Sequence, residues 1–342
     1  MHQSEVLVFK GHEVDSLLTG CEMEIIGVVK AAYEAHGKGQ TSLPHSAFLR
    51  FPDDDRSRII ALPAYLGADF GVAGVKWVSS FPANVPRGWE RASATVILNS
   101  TATGHPLAIL EGSIISAKRT AASAALAAEC LHSWQEPFDV GIIGCGLINF
   151  EMVRFLLALG GRLRSFILLD LDPHRESKFK AKCRATFGDV EFESAREVSE
   201  LCCRASLICI ATTALEPYID DLSICSPNTT ILHISLRDLR PEVIQSCDNV
   251  VDDVDHVCRA QTSIHLTEQL LGHRDFIRCT LSDILLGRSP VKKDTAGFTV
   301  FSPFGLGILD LAVSKFVLDR GREQKQGLLL NSFLPEPWTE RM

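Results

Sequence analysis

A chain of 342 residues is longer than one hydrophobic core usually organises, so two domains are the starting expectation. With 34 Lys and Arg against 42 Asp and Glu the formal charge is −8, which excludes a broad basic surface for nucleic acid or anionic lipid. No segment approaches the roughly 18 continuous apolar residues of a membrane span, and the first residues lack a basic run followed by an apolar one, so a cytoplasmic protein is expected. The 11 cysteines form no C-x-x-C pair, which favours reduced thiols buried as small apolar residues over disulfides or zinc.

Ahead of residue 110, "HSAFLRF", "RIIALPAYL", "VAGVKWVSSF" and "ASATVILNS" read as strands rich in β-branched and aromatic residues. Pro, Gly and Asp turns join them, and "STATGHP" is a turn after the last, so a mainly antiparallel sheet is expected. "SIISAKRTAASAALAAECL" follows as a helix whose small side chains permit close packing.

From residue 138 onward strands and helices alternate. "DVGIIG", "SFILLD", "LICIAT", "TILHIS" and "VVDD" are short apolar strands, with "NFEMVRFLLAL" and "PHRESKFKAKCRATF" as intervening helices. Such alternation predicts an α/β fold, a Rossmann-type doubly wound parallel sheet. Near the end, "GLGILDLAVSKFVLDRGREQ" reads as an amphipathic helix with Ile308, Leu311, Ala312 and Phe316 on one stripe. It is expected to pack back on the first domain, giving a discontinuous α+β domain (1–125 with 306–342) around a dinucleotide domain (126–305), and "FLPEPWTERM" to be a loose tail.

The first strand of the second domain breaks into "GCGLIN". Gly144 and Gly146 suit the tight turn and the close backbone approach of a pyrophosphate, with Leu147, Ile148 and Asn149 opening the helix whose N-terminus would hold it. Asn149 stands where a third glycine is usual, so looser helix-to-strand contact is expected there. Alone, the turn fits any tight βα connection. Asp170, at the end of the next apolar strand, adds a carboxylate suited to ribose hydroxyls and hostile to a 2′-phosphate, which points to NAD over NADP. Asp172, just before Pro173, is the better helix cap.

"AGVKWVSSFPAN", then "ASATVILNSTATGHPLAILEGSIISAKRTAASAALAA" and the late "TVFSPFGLGILDLAVSKFVL", resemble the ornithine cyclodeaminase and mu-crystallin family, from about residue 5 to 320. "GCGLIN", "ERASATVILN", "HISLRDLRPEVI" and "VVDDVDHVCRAQTSIHL" look most like its N-(2-amino-2-carboxyethyl)-L-glutamate dehydrogenase branch, which makes 2,3-diaminopropionate. The resemblance implies that the leading residues form a substrate and dimerisation domain. It also implies a first step in which hydride leaves the α-carbon of an amino acid. In the cyclodeaminases a side-chain amine then closes on that carbon; in the diaminopropionate branch water splits the secondary amine.

Carried over residue by residue, the resemblance makes Lys76 ("GVKW") and Arg119 ("AKRTAA") contacts of the substrate carboxylate, with Arg50 ("FLRF") a further one for which His45 competes. Asp238 ("SLRDLRPE") aligns with the catalytic aspartate, alongside Lys76, and Thr120 and Thr212 fall to the cofactor. A glycine-rich G-x-D is usual before that aspartate, whereas Leu236 and Arg237 stand there, so the loop's shape is open. His233 is the next candidate base. Arg91 ("WERAS") replaces the small hydroxyl residue of ornithine cyclodeaminases, as suits a substrate with extra carboxylates; a surface ion pair with Glu90 is the plainer alternative.

"DDVDH" offers Asp252, Asp253, Asp255 and His256 to a hard cation, yet an acidic turn after an apolar strand, contributing to a pocket, explains it as well, and no metal is expected. The expected function is thus NAD-dependent oxidative cleavage of N-(2-amino-2-carboxyethyl)-L-glutamate by a homodimer, supplying siderophore or peptide-antibiotic synthesis. The alternatives are an ornithine cyclodeaminase, an imine reductase or amino-acid dehydrogenase, and a non-catalytic crystallin-like cofactor binder.

Overall fold

The structure, a computed structural model, describes residues 5–188, 190–291 and 297–341. Two compact units emerge, Met1–Arg119 with Leu306–Met342, and Thr120–Gly305. In chain order the strands are β1 (Val6–Phe9), β2 (Thr41–Ser42), β3 (Ala47–Phe51), β4 (Asp54–Leu66), β5 (Val72–Ser80), β6 (Ala92–Ser100) and β7 (Pro106–Glu111). They continue with β8 (Phe138–Ile143), β9 (Leu163–Leu169), β10 (Glu191–Ser194), β11 (Leu207–Ile210), β12 (Thr230–His233), β13 (Asp248–Val251), β14 (Ile277–Thr280), β15 (Thr299–Ser302) and β16 (Leu328–Leu330).

In the first unit β2 and β4 to β7 form an antiparallel run with β3 paired to β4; β1 adds in parallel to β7, and β16 closes the edge. Strand alternation decides its two faces. On β5, Val72, Lys76 and Ser80 are buried whereas Trp77 is 45% exposed. Against the buried face packs the Gly307–Glu323 helix, touching β4, β5 and β6. Gly74 permits that approach: a Cβ there would stand 3.0 Å from Leu311 and 2.2 Å from the carbonyl oxygen of Ile97. The expected single stripe is too narrow for this helix. Leu309, Asp310, Val313 and Ser314 are buried along with Ile308, Leu311 and Ala312, while Phe316 is only partly so, because the helix lies between the sheet and the Glu22–Gly37 helix.

In the second unit eight parallel strands run β10-β9-β8-β11-β12-β15-β13-β14. β11, β12 and β15 are buried along their whole length, as a sheet covered on both faces requires. The chain moves outward from β8 to β10 and then returns to β11, so the order reverses between β8 and β11. Ligands of open α/β sheets bind at such a reversal, beyond the carboxyl ends of the strands. The alanine-rich segment is a helix over Ser113–Leu131, with Ala121, Ala122, Ala124, Ala125, Ala127 and Ala128 fully buried. No helix among the described residues is long and apolar enough to cross a membrane.

Candidate functional site

Gly144 follows β8 at the sheet reversal with φ +92°, and a Cβ on it would meet the carbonyl oxygen of Ala211 at 2.5 Å. Gly146 begins the Leu147–Leu159 helix with no capping side chain, and open space lies where its own side chain would be. The first N–H groups of a helix have no intrahelical acceptor, so Leu147 and Ile148 offer backbone donors and the positive end of a helix dipole to an anion. Asp170 buttresses the turn: one oxygen accepts from Cys145 N at 2.7 Å, the other from Asp172 N at 2.9 Å. Asp172 caps the next helix by accepting from His174 N at 2.9 Å.

Asn149 corrects the expectation of loose contact. It is fully buried, and its Nδ2 donates to the carbonyls of Ile143 at 2.9 Å and Gly144 at 2.6 Å. The side chain thereby ties helix to strand where a third glycine would merely let them approach. These residues fit the pyrophosphate half of a dinucleotide.

Asp238 lies in the loop after β12, fully buried and saturated with donors. Thr212, just past β11, donates its hydroxyl to Oδ1; Ser235 donates to Oδ2; His233 Nε2 lies 3.2 Å from Oδ2. His233 Nε2 is also 3.2 Å from Asp238 N, so the ring donates to the carboxylate when that nitrogen is protonated and accepts the backbone N–H when it is not. Burial alone would raise the Asp238 carboxyl, but the hydrogen bonds and charge of His233, with the two hydroxyls, hold it below the usual carboxylate value. It is therefore a buried carboxylate favoured in its ionised form by the donors around it. Tyr218, 43% exposed, reaches the same carboxylate, and burial beside that negative charge raises its phenol. Leu236 takes the place of the usual glycine with φ +68°, a conformation costly for a side-chain-bearing residue, and is held there by burial and by Ser263 N donating to its carbonyl at 2.7 Å.

In the first unit, Lys76 on β5 and Arg119 on the Ser113–Leu131 helix come together on a residue that sequence reasoning passed over. Asp310 Oδ2 lies 2.8 Å from Lys76 Nζ, and Oδ1 accepts from Arg119 Nε at 3.0 Å. Lys76 also lies 3.2 Å from Ser116 Oγ. Desolvation, then the neighbouring Arg119 charge, push the Lys76 amine down to about 8 against the opposing pull of Asp310.

Arg91 donates to Ser80 Oγ at 2.7 Å, at the end of β5. Arg50 stays outside the Lys76 cluster, exposed on β3 with its guanidinium 5.9 Å from the Phe48 ring centroid. Register nevertheless aligns them: Arg50 pairs with Arg58, Arg58 with Ser80, and Ser80 shares the face of Lys76 two strand periods away. Arg58 was the second residue missed; its facing follows only once the register is known. Thr120 follows Arg119 along the same helix, partly buried. His45, in the loop before β3, is exposed.

The acidic turn is put to structural use. Asp252 is fully buried and accepts from Asp253 N at 2.8 Å, Phe304 N at 2.9 Å and Gly305 N at 2.7 Å. Asp253 caps the Val254–Val257 helix and pairs with His256 Nδ1 at 2.9 Å, and Asp255 pairs with Arg274 at 2.7 Å.

Residues 5–325 match the ornithine cyclodeaminase/mu-crystallin family. The chain is 27% identical to the N-((2S)-2-amino-2-carboxyethyl)-L-glutamate dehydrogenase of Staphylococcus aureus, covering 90% of this chain and 93% of that one. Among solved structures, the Thermococcus litoralis Delta(1)-pyrroline-2-carboxylate reductase in complex with NADH and L-proline superposes with a TM-score of 0.87 at 24% identity, covering 94% of this chain and 99% of that chain. An archaeal alanine dehydrogenase dimer with bound NAD superposes with a TM-score of 0.85 at 24% identity, covering 96% and 99%.

Proposed function

The chain belongs to the ornithine cyclodeaminase/mu-crystallin family, and from that premise we propose that it is an NAD-dependent oxidoreductase that cleaves N-(2-amino-2-carboxyethyl)-L-glutamate to 2-oxoglutarate and L-2,3-diaminopropionate in the cytoplasm. The observation that carries the substrate assignment is the spread of cations along the first sheet, with Lys76 and Arg119 buried, Arg58 half-buried and Arg50 and Arg91 exposed. Lys76 and Arg119, with only Asp310 between them, suit one carboxylate; Arg50, Arg58 and the Ser80-bound Arg91 lie toward the far end, roughly 13 Å along β5 at about 3.3 Å per residue. An amino acid with one carboxylate needs no such row.

Bound NAD would supply the hydride acceptor, held through Gly144, Gly146, Leu147, Ile148 and Asn149, with Asp170 facing the ribose and disfavouring NADP, and Thr120 and Thr212 alongside. Arg119 grips the substrate carboxylate end-on, and Lys76 adds a proton-bearing contact. Asp238, through Thr212, Ser235 and His233, orients and receives the proton that leaves the secondary amine, then helps to activate water for the cleavage.

The opposite face of the sheet carries Tyr65, Trp77, Val75 and Ile97, with Trp77 and Tyr65 45% and 41% exposed, and suits a second copy of the chain. Diaminopropionate would feed siderophore or peptide-antibiotic assembly. A substrate panel tests the assignment: tricarboxylate and alanine with NAD, ornithine with NAD, and pyrroline-2-carboxylate with NADH. A preference for alanine or for the cyclic imine would replace it with the corresponding relative's activity.

A further inference from the structure

We infer that Asp310 is the positioning residue of the carboxylate-binding pair: it keeps Lys76 a cation and occupies the Nε edge of Arg119, so that the Nη end of that guanidinium is presented to the substrate. This rests on the proposed role of Lys76 and Arg119 in holding a carboxylate. Three charged groups share one buried place, Lys76 at 3% exposure, Arg119 at 8% and Asp310 at 0%. Two cations against one carboxylate leave a formal excess of one positive charge, which an incoming carboxylate neutralises.

Among the described residues, Asp310 is the acid that pairs with Lys76. The strand neighbours of Lys76 are Leu62 on β4 and Val96 on β6, both apolar. The Ser113–Leu131 helix contributes Ser116 and Arg119, and the Gly307–Glu323 helix contributes Asp310. Desolvation and then Arg119 therefore oppose the charge on Lys76, and among the described residues Asp310 sustains it, which places the amine near 8, within reach of cellular pH. Asp310 projects, fully buried, from a helix whose Leu311 sits over Gly74 of the sheet. The geometry is that of a fixed internal counter-ion. Without it, two neighbouring buried cations would remain, and the lysine, the weaker acid-base partner to hold charged, would release its proton.

The experiment is an NMR titration of the lysine Cε and Nζ resonances in substrate-free, lysine-labelled protein, with Lys76 assigned by its loss in Lys76→Arg. A midpoint near 8 is expected in the parent, falling by roughly one to three pH units in Asp310→Asn. The alkaline limb of kcat/KM, where activity is lost as Lys76 deprotonates, should move down with it. A purely structural role for Asp310 would lower activity without moving that limb. Asp310→Glu keeps the charge, so its midpoint should stay near the parent's while KM rises. A parent midpoint at the ordinary lysine value, an unmoved midpoint in folded Asp310→Asn, or an Asp310→Glu midpoint as low as that expected for Asp310→Asn each overturns the inference. Should Asp310→Asn not fold, the parent and Asp310→Glu midpoints still decide. Since the titration needs no substrate, failure to cleave the tricarboxylate would sink the proposed function and leave this result standing.

Discussion

Asn149 donates its side-chain amide to the carbonyl oxygen of Gly144 at 2.6 Å, fastening the first turn of the cofactor helix to the loop it follows. Its second bond, to Ile143 at 2.9 Å, reaches the last residue of β8. Because the Ile143 carbonyl keeps Ala211 N at 3.0 Å, the loss falls on the Gly144 carbonyl, and Asn149→Ala should cost about 1 to 3 kcal/mol, the usual penalty for leaving a buried acceptor unpaired, although alanine is the better helix former. Both thermal stability and NAD affinity should fall, as measured by calorimetric unfolding and by fluorescence titration. Unchanged affinity in a destabilised variant would mean that the turn keeps its shape without this tie.

Arg91→Thr restores the small hydroxyl residue expected of the cyclodeaminases and frees Ser80. If Arg91 holds a distal carboxylate, the loss of one charge-assisted hydrogen bond should raise KM for the tricarboxylate about tenfold or more, with NAD affinity intact. Steady-state kinetics at saturating NAD decide it. An unaltered KM would return Arg91 to the surface.

Asp238→Asn retains the volume of the carboxylate but gives Ser235, Thr212 and His233 one acceptor oxygen instead of two. Turnover should drop roughly 10²- to 10⁴-fold while NAD still binds. Near-normal turnover would transfer proton removal to His233 or Tyr218.

How much of this was legible in advance followed the range of the interactions. The G-x-G turn, the strands β8, β9, β11, β12 and β13 and the Ser113–Leu131 helix are written in local patterns and appear where they were expected, whereas the short strands β10, β14 and β15 were not foreseen. Asp310 is not local: its partner Arg119 lies 191 residues away, and an acid in an amphipathic helix gives no sign of facing inward. Arg58 likewise looks like any charged strand-end residue until β4 is paired with β3 and β5. Asn149 was visible but misjudged, because a missing glycine shows a lost freedom and conceals the hydrogen bonds a side chain can put in its place. The glycine missing before Asp238 was taken up differently, by a buried leucine in a left-handed conformation.

Alkaline pH should unfold the protein. Burial raises the Cys183 and Cys258 thiols from 9.0 to about 12. An unfolded thiol ionises near 9.0 while the folded one keeps its proton, so the stabilisation is complete below that pH and is lost as pH climbs toward about 12. The slope is about 1.4 kcal/mol per pH unit for each such thiol. Lys76 opposes this, since its depressed value means that stability gained from that group rises between about 8 and 10.5, but one lysine is outnumbered by the buried thiols. The urea midpoint under reducing conditions should therefore fall above pH 9 or so, and less steeply in Cys183→Ala. A midpoint that holds or rises there would mean that the thiols are not shielded in solution.

The most direct measurement is the stoichiometry of a single incubation with NAD and N-(2-amino-2-carboxyethyl)-L-glutamate, with NADH followed by absorbance and both fragments quantified by mass spectrometry. Oxidative cleavage predicts equal amounts of NADH, 2-oxoglutarate and 2,3-diaminopropionate, because one hydride and one water are consumed for each bond broken. No NADH from this substrate, together with proline and ammonia formed from ornithine without net reduction of NAD, would contradict the assignment and identify the chain as a cyclodeaminase.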